Sequence, residues 1–204
     1  MSLSRRHFVT ILTTYMNASP VLGWVPGDLV PTSTPAYEWL KTYVLTKAIQ
    51  RTYQEPVKVR VINQFFTRLE DYDRTVPEHS HGYLREVFLC VRDQPVVYAR
   101  TTVTNPTPEV KESIVTLGDR PIGVNLLYNN SKVRRSPFCY RQFTALEDTY
   151  PSVPAEFRNS EVWARRSTFH WDQTNIHITE FFSPKIKNYV PEDQPSFPSP
   201  KLVG

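Results

Sequence analysis

Tyr83-Leu84-Arg85-Glu86-Val87-Phe88-Leu89-Cys90-Val91-Arg92-Asp93-Gln94-Pro95-Val96-Val97-Tyr98-Ala99-Arg100-Thr101-Thr102-Val103 reads as two strands and the turn between them. The runs 83–91 and 95–103 are rich in β-branched and aromatic residues. The polar residues Arg92, Asp93 and Gln94 form a connection short enough for an antiparallel hairpin. In the first strand, period two puts Tyr83, Arg85, Val87, Leu89 and Val91 on one face, and Leu84, Glu86, Phe88 and Cys90 on the other. Both faces are mostly apolar, so the period leaves open whether Arg85 or Glu86 points into the core.

Working upstream, Val57, Val59 and Val61 alternate with Lys58, Arg60 and Ile62, which predicts a strand over 57–66. Before it, Thr34-Pro35 reads as the cap and first residue of a helix over 36–51, whose apolar face carries Tyr37, Leu40, Val44, Leu45 and Ala48. Downstream, a second helix is expected over 108–116. The segment 117–127 then reads as a turn entering a short helix, with Pro121 near its start. Strand-like runs follow at 133–145, 162–171 and 175–182, the last two joined by Asp172-Gln173-Thr174. This order predicts an α+β fold, a six-stranded antiparallel sheet with helices on one face. The main domain is expected over 35–189. An extension over 1–34 precedes it, where Phe8, Ile11, Leu12 and Tyr15 have the spacing of a short amphipathic helix, and a proline-rich tail over 190–204 follows it.

With 204 residues, 40% of them hydrophobic and 22% charged, the chain can bury one substantial core. Its net charge of +4 is spread among nearly as many carboxylates, a poor footprint for nucleic acid but a field that suits a small anion. Cys90 and Cys139 show no paired spacing and read as reduced thiols of a cytoplasmic protein. No apolar run approaches the ~20 residues that span a bilayer. Arg5-Arg6 resembles a twin-arginine export signal, but Thr13, Thr14, Asn17, Ser19 and Pro20 interrupt the apolar stretch behind it. The histidines lack paired ligand spacing, and no nucleophile elbow or phosphate-binding glycine loop occurs. The expected chemistry therefore uses no metal, bound nucleotide or obvious covalent intermediate.

Glu180 is the anomaly of the last strand. Period two sets it on the same face as Ile176, Ile178 and Phe182, where a carboxylate costs several kcal/mol unless it is paired or hydrogen-bonded. A buried salt bridge and a ligand-binding acid are both open readings. Arg85, if it faces inward, is a natural clamp for a carboxylate, either that of Glu180 or that of a ligand. Arg165 and Arg166 alternate across their strand, so at most one of them shares a pocket, the other being expected in a surface ion pair.

Four segments in order resemble the chorismate lyase family: Tyr83-Leu84-Arg85-Glu86-Val87-Phe88-Leu89-Cys90, Pro121-Ile122-Gly123-Val124-Asn125-Leu126, Trp163-Ala164-Arg165-Arg166-Ser167 and Thr179-Glu180-Phe181-Phe182. The resemblance implies a cofactor-free monomer with a buried pocket under helical flaps, converting chorismate to 4-hydroxybenzoate and pyruvate for ubiquinone biosynthesis. It implies Arg85 as the carboxylate-binding arginine and Glu180 as the acid meeting the ring hydroxyl. Further contacts are implied at Leu126 and at Leu45, the latter through its backbone amide. Ala164 stands where the family commonly has Gly. The effector domains of some bacterial transcription regulators resemble the same fold, so a non-catalytic ligand sensor is the rival reading. The roughly 35 residues ahead of the matching region are too few for the DNA-binding domain such regulators carry.

Overall fold

The computed structural model describes residues 23–30, 32–34, 36–73, 76–143, 153, 155–158 and 161–190. The expected N-terminal helix, the Arg5-Arg6 segment and the proline-rich tail lie outside them. The strands are β1 (Val25–Pro26), β2 (Lys58–Arg68), β3 (His81–Val91), β4 (Gln94–Thr104), β5 (Val133–Arg135), β6 (Cys139–Phe143), β7 (Val162–Trp171) and β8 (Thr174–Phe182). The helices are α1 (Tyr37–Lys41), α2 (Leu45–Tyr53), α3 (Pro108–Val115) and α4 (Ala155–Arg158), with a π-helical turn at Gly123–Leu127.

The strands form one antiparallel sheet in the order β1-β6-β7-β8-β4-β3-β2, and β5 also pairs with β7. It has eight strands where six were expected. The single run expected over 133–145 is broken because Pro137 has no N–H to give to a ladder. Ser136 bridges the gap, its N–H donating to the Thr168 carbonyl (2.8 Å) while its Oγ accepts from the Thr168 N–H (2.9 Å). The two-residue β1, paired with β6, lies in the stretch expected as an N-terminal extension.

Helices cover both faces, not one. On the first face, α1 and α2 pack over Val87, Leu89, Val97, Ala99 and Phe182 at one end of the sheet. At the other end, α3 and Leu127 pack over Tyr83, Val103, Phe169, Ile176 and Ile178. The opposite face buries Phe88, Tyr98 and Phe181 beneath Phe157 of the short α4, and Leu84 beneath Leu69 and Val76. With both faces covered, β3 is apolar on both sides, which is why period two could not orient it.

The helix expected over 36–51 is two helices. Thr42 is extended (φ −62°, ψ 136°), and α2 restarts at Leu45. The break satisfies the end of α1, since Arg165 Nη1 donates to the carbonyls of Leu40 (3.2 Å), Trp39 (3.4 Å) and Thr42. It also turns the N-terminus of α2 toward the middle of the first sheet face. The helix expected over 108–116 forms almost as read, with the Thr107 side chain accepting from the Val110 N–H (3.3 Å) and Pro108 in its first turn.

Candidate active site

Between the two helical covers the first sheet face is left open, and a cavity of about 60 Å³ lies there. Its floor is Arg85, Val87 and Leu89 of β3, Ala99 and Thr101 of β4, Ile178 and Glu180 of β8, and Ser167 and Phe169 of β7. Leu45 and Thr46 close one side, residues 120–124 with Tyr128 another, and Phe138 a third.

Arg85 is 2% exposed and faces this cavity, while Glu86 points to the opposite sheet face. Its Nη1 donates to Gln64 Oε1 (2.7 Å), and its Nη2 donates to the Gly118 carbonyl (2.6 Å) and, at 3.5 Å, to that of Arg120. All three acceptors are neutral, so none cancels the charge, and burial pulls the guanidinium below the usual arginine value. Gln64 reaches Arg85 because β2 bulges at Ile62: Val61 pairs with Val87, but Asn63 pairs with Glu86 and Gln64 with Arg85. Without that extra residue Asn63 would take the cavity face.

Glu180 sits across the cavity floor with its side chain 15% exposed, and Arg165 Nε donates to its Oε2 at 2.5 Å. The two are direct partners across the β7–β8 hairpin. Glu180 thus both forms a buried salt bridge and lines the cavity, so the two readings left open by the sequence do not exclude each other. Tyr128, against the same wall, has its phenol pushed up to about 12, chiefly by burial and next by the Glu180 charge. Arg166 faces the other way and binds Asp73 (3.2 Å). That pair is largely buried, not the surface pair expected. On the same far face Glu86 is held by Arg100 (2.8 Å), Tyr98 and Asn63.

The structure therefore brings Arg85, Glu180 and Leu45 to one cavity. Leu45 is the first residue of α2, where helical amides have no carbonyl four residues back to bond. Leu126 is half-buried in the cluster packed against α3 and is not among the lining residues; its neighbours Ile122, Gly123, Val124 and Tyr128 are.

A family model described as chorismate lyase matches residues 19–190. The chain belongs to the chorismate lyase family. A relative from Nitrosospira multiformis, named "Probable chorismate pyruvate-lyase", is 29% identical over 178 residues, covering 84% of this chain and 98% of the relative. One of the same name from Pseudoalteromonas atlantica is 33% identical over 115 residues, 55% of this chain and 56% of its own. Among solved structures, a GntR-family transcriptional regulator from Enterococcus faecalis has a TM-score of 0.41 at 11% identity, covering 66% of this chain and 99% of that one. Ala164, the departure from the family's usual Gly, is fully buried among Tyr98, Phe143 and Phe181 on the face away from the cavity.

Sequence reasoning missed Gln64, Gly118, Tyr128, Phe138 and the inward role of Arg165. A signal existed for the last, because the hairpin register follows from the turn length. A connection of Asp172-Gln173-Thr174 pairs Arg166 with Glu180, whereas the observed two-residue turn, Trp171 opposite Thr174, pairs Arg165. One residue in the turn flips the face.

Proposed function

We propose that the protein is a chorismate lyase, eliminating pyruvate from chorismate to leave 4-hydroxybenzoate. The observation that carries this reading is Arg85, a buried cation on a cavity wall whose own contacts are neutral, facing a cavity that also contains the Glu180 carboxylate. An uncompensated guanidinium in a mostly apolar chamber favours an anionic ligand, and a ring carboxylate fits its planar fork. The backbone amides at Leu45 and Thr46, and the backbone of the π-helical turn that contains Leu126, complete the anchor. Glu180 Oε2 is engaged by Arg165, which leaves Oε1 to accept from the ring hydroxyl at the far end of the ligand.

The reaction then needs little from the protein beyond orientation in a dry site. The ether carbon–oxygen bond breaks with its electron pair leaving on the enolpyruvyl oxygen. The ring carbon bearing the hydroxyl loses its hydrogen, the ring aromatises, and the proton ends on the methylene carbon that becomes the methyl of pyruvate. No cofactor enters this balance. Room for only a handful of waters means the cover over the cavity must yield to admit chorismate, so residues 117–127 or the linker 42–44 act as flaps. A cytoplasmic monomer built on 35–189 and serving ubiquinone synthesis completes the proposal. Both relatives described above are named lyases, which favours catalysis over the sensor reading. Incubation of the purified protein with chorismate, without added metal or nucleotide, is expected to yield pyruvate and 4-hydroxybenzoate in equal amounts; binding without turnover would overturn the lyase in favour of a sensor.

A further inference from the structure

The buried arginines divide into two kinds. Arg100 is neutralised by Glu86, Arg165 by Glu180 and Arg166 by Asp73. Arg85 and Arg135 are buried with no carboxylate against them among the described residues. Arg135, on β5, is 3% exposed, and its Nε and Nη1 have no hydrogen-bond acceptor. Its guanidinium carbon stands 3.9 Å from the centre of the Tyr43 ring and 4.2 Å from that of Phe138, a cavity-wall residue. The Phe138 ring is shared, since Arg165 lies 4.4 Å from its centre while binding Glu180. Arg135 is not itself among the residues lining the cavity; its orphaned donors lie against Phe138, whose ring it shares with Arg165 at the Glu180 end of the chamber. Leaving such donors unmet is a standing cost that a ligand acceptor would relieve.

Chorismate is a dianion. Its second carboxylate hangs from the ether next to the ring hydroxyl, hence beside Glu180 when the ring carboxylate is on Arg85. We propose that Arg135 is the second carboxylate anchor, taking the enolpyruvyl carboxylate of the substrate, an inference that rests on the lyase reading above. Two uncompensated cations then match two substrate charges. 4-Hydroxybenzoate keeps only the first, so loss of pyruvate empties the Arg135 subsite. The Tyr43 and Phe138 rings hold the guanidinium in place between turnovers. Burial lowers the Arg135 pKa from the usual arginine value, and the pull of nearby Glu180 in the other direction is a lesser cause.

The test compares a dianion with a monoanion. In the wild type, 3-(carboxymethoxy)-4-hydroxybenzoate is expected to bind at least about ten-fold more tightly than 4-hydroxybenzoate; equal or weaker binding overturns the proposal without any variant. Arg135→Gln, with Arg135→Met as a second variant of similar bulk, should erase that preference. It should lower kcat/KM for chorismate by about thirty-fold or more while leaving 4-hydroxybenzoate affinity within about three-fold. Equal losses for both ligands, or an unchanged kcat/KM, would make Arg135 a structural residue. A wild type that prefers the dianion through Arg135 yet releases no pyruvate from chorismate would overturn the lyase reading alone.

Discussion

Glu180→Gln separates the observed salt bridge of this residue from its proposed role in the cavity. The amide keeps the volume and can still accept from Arg165 Nε, and Arg165 retains the carbonyls of Trp39, Leu40 and Thr42. Urea unfolding should therefore shift by less than about 2 kcal/mol, while chorismate turnover falls by about ten-fold or more. A variant that unfolds readily, and whose folded fraction turns over normally, would reduce Glu180 to the salt bridge. His177 reports on the opposite face, where Thr168 Oγ1 meets its Nδ1 at 2.9 Å. Burial, with Arg166 as the next cause, pushes it down to about 4, against an opposing pull from Asp73. Between that value and the ordinary 6.5, the unfolded chain takes up a proton that the folded chain refuses. Its contribution is full above about pH 6.5 and falls as pH drops toward 4, by about 3 kcal/mol at most. The urea midpoint should drop between pH 7 and pH 4.5, and drop less in His177→Gln; an identical pH dependence in the two proteins would contradict this assignment.

The elements show where sequence reading holds and where it fails. The hairpin of β3 and β4 and the helix α3 were legible because their signals are local: a short polar turn between β-branched runs, and a helical run opening at Pro108. The break between α1 and α2 was not, because its cause, Arg165, lies 123 residues away from Thr42 in sequence. The β2 bulge at Ile62 was hidden because it matters only once β3 is laid alongside. Arg85 and Glu180 could be named from strand period and resemblance, but their distribution between a neutral cradle and an ion pair depends on register. Gly118 carries a prediction at this scale. Its φ of +60° is the left-handed conformation that follows many helix ends, and its carbonyl accepts from Arg85. Gly118→Ala should cost about 1 kcal/mol of stability and also weaken 4-hydroxybenzoate binding by moving that carbonyl, whereas Gly118→Asn should cost less. Calorimetric titration alongside urea unfolding separates the two effects. Unchanged product affinity in Gly118→Ala would show that the cradle does not depend on this turn.

At the scale of the whole molecule, the sheet's second face is sealed by paired charges and aromatic packing, while its first face keeps a charged cavity between two helical covers. A ligand that fills the cavity binds only the folded state, so 4-hydroxybenzoate at a hundred times its Kd should stabilise the protein by about 2.7 kcal/mol and raise Tm accordingly. At the same ligand concentration that gain should fall to about 1 kcal/mol or less without the anchor. Removing Arg85 leaves Gln64 and the Gly118 carbonyl without their donor, so the variant must first be shown to fold by circular dichroism. The most direct measurement is then calorimetric titration of 4-hydroxybenzoate into the wild type, Arg85→Ala and Arg85→Lys. The account predicts an affinity lower by about thirty-fold or more in Arg85→Ala and only partly restored in Arg85→Lys, since a point charge cannot supply the planar fork. Undiminished product affinity in a folded Arg85→Ala protein would contradict it.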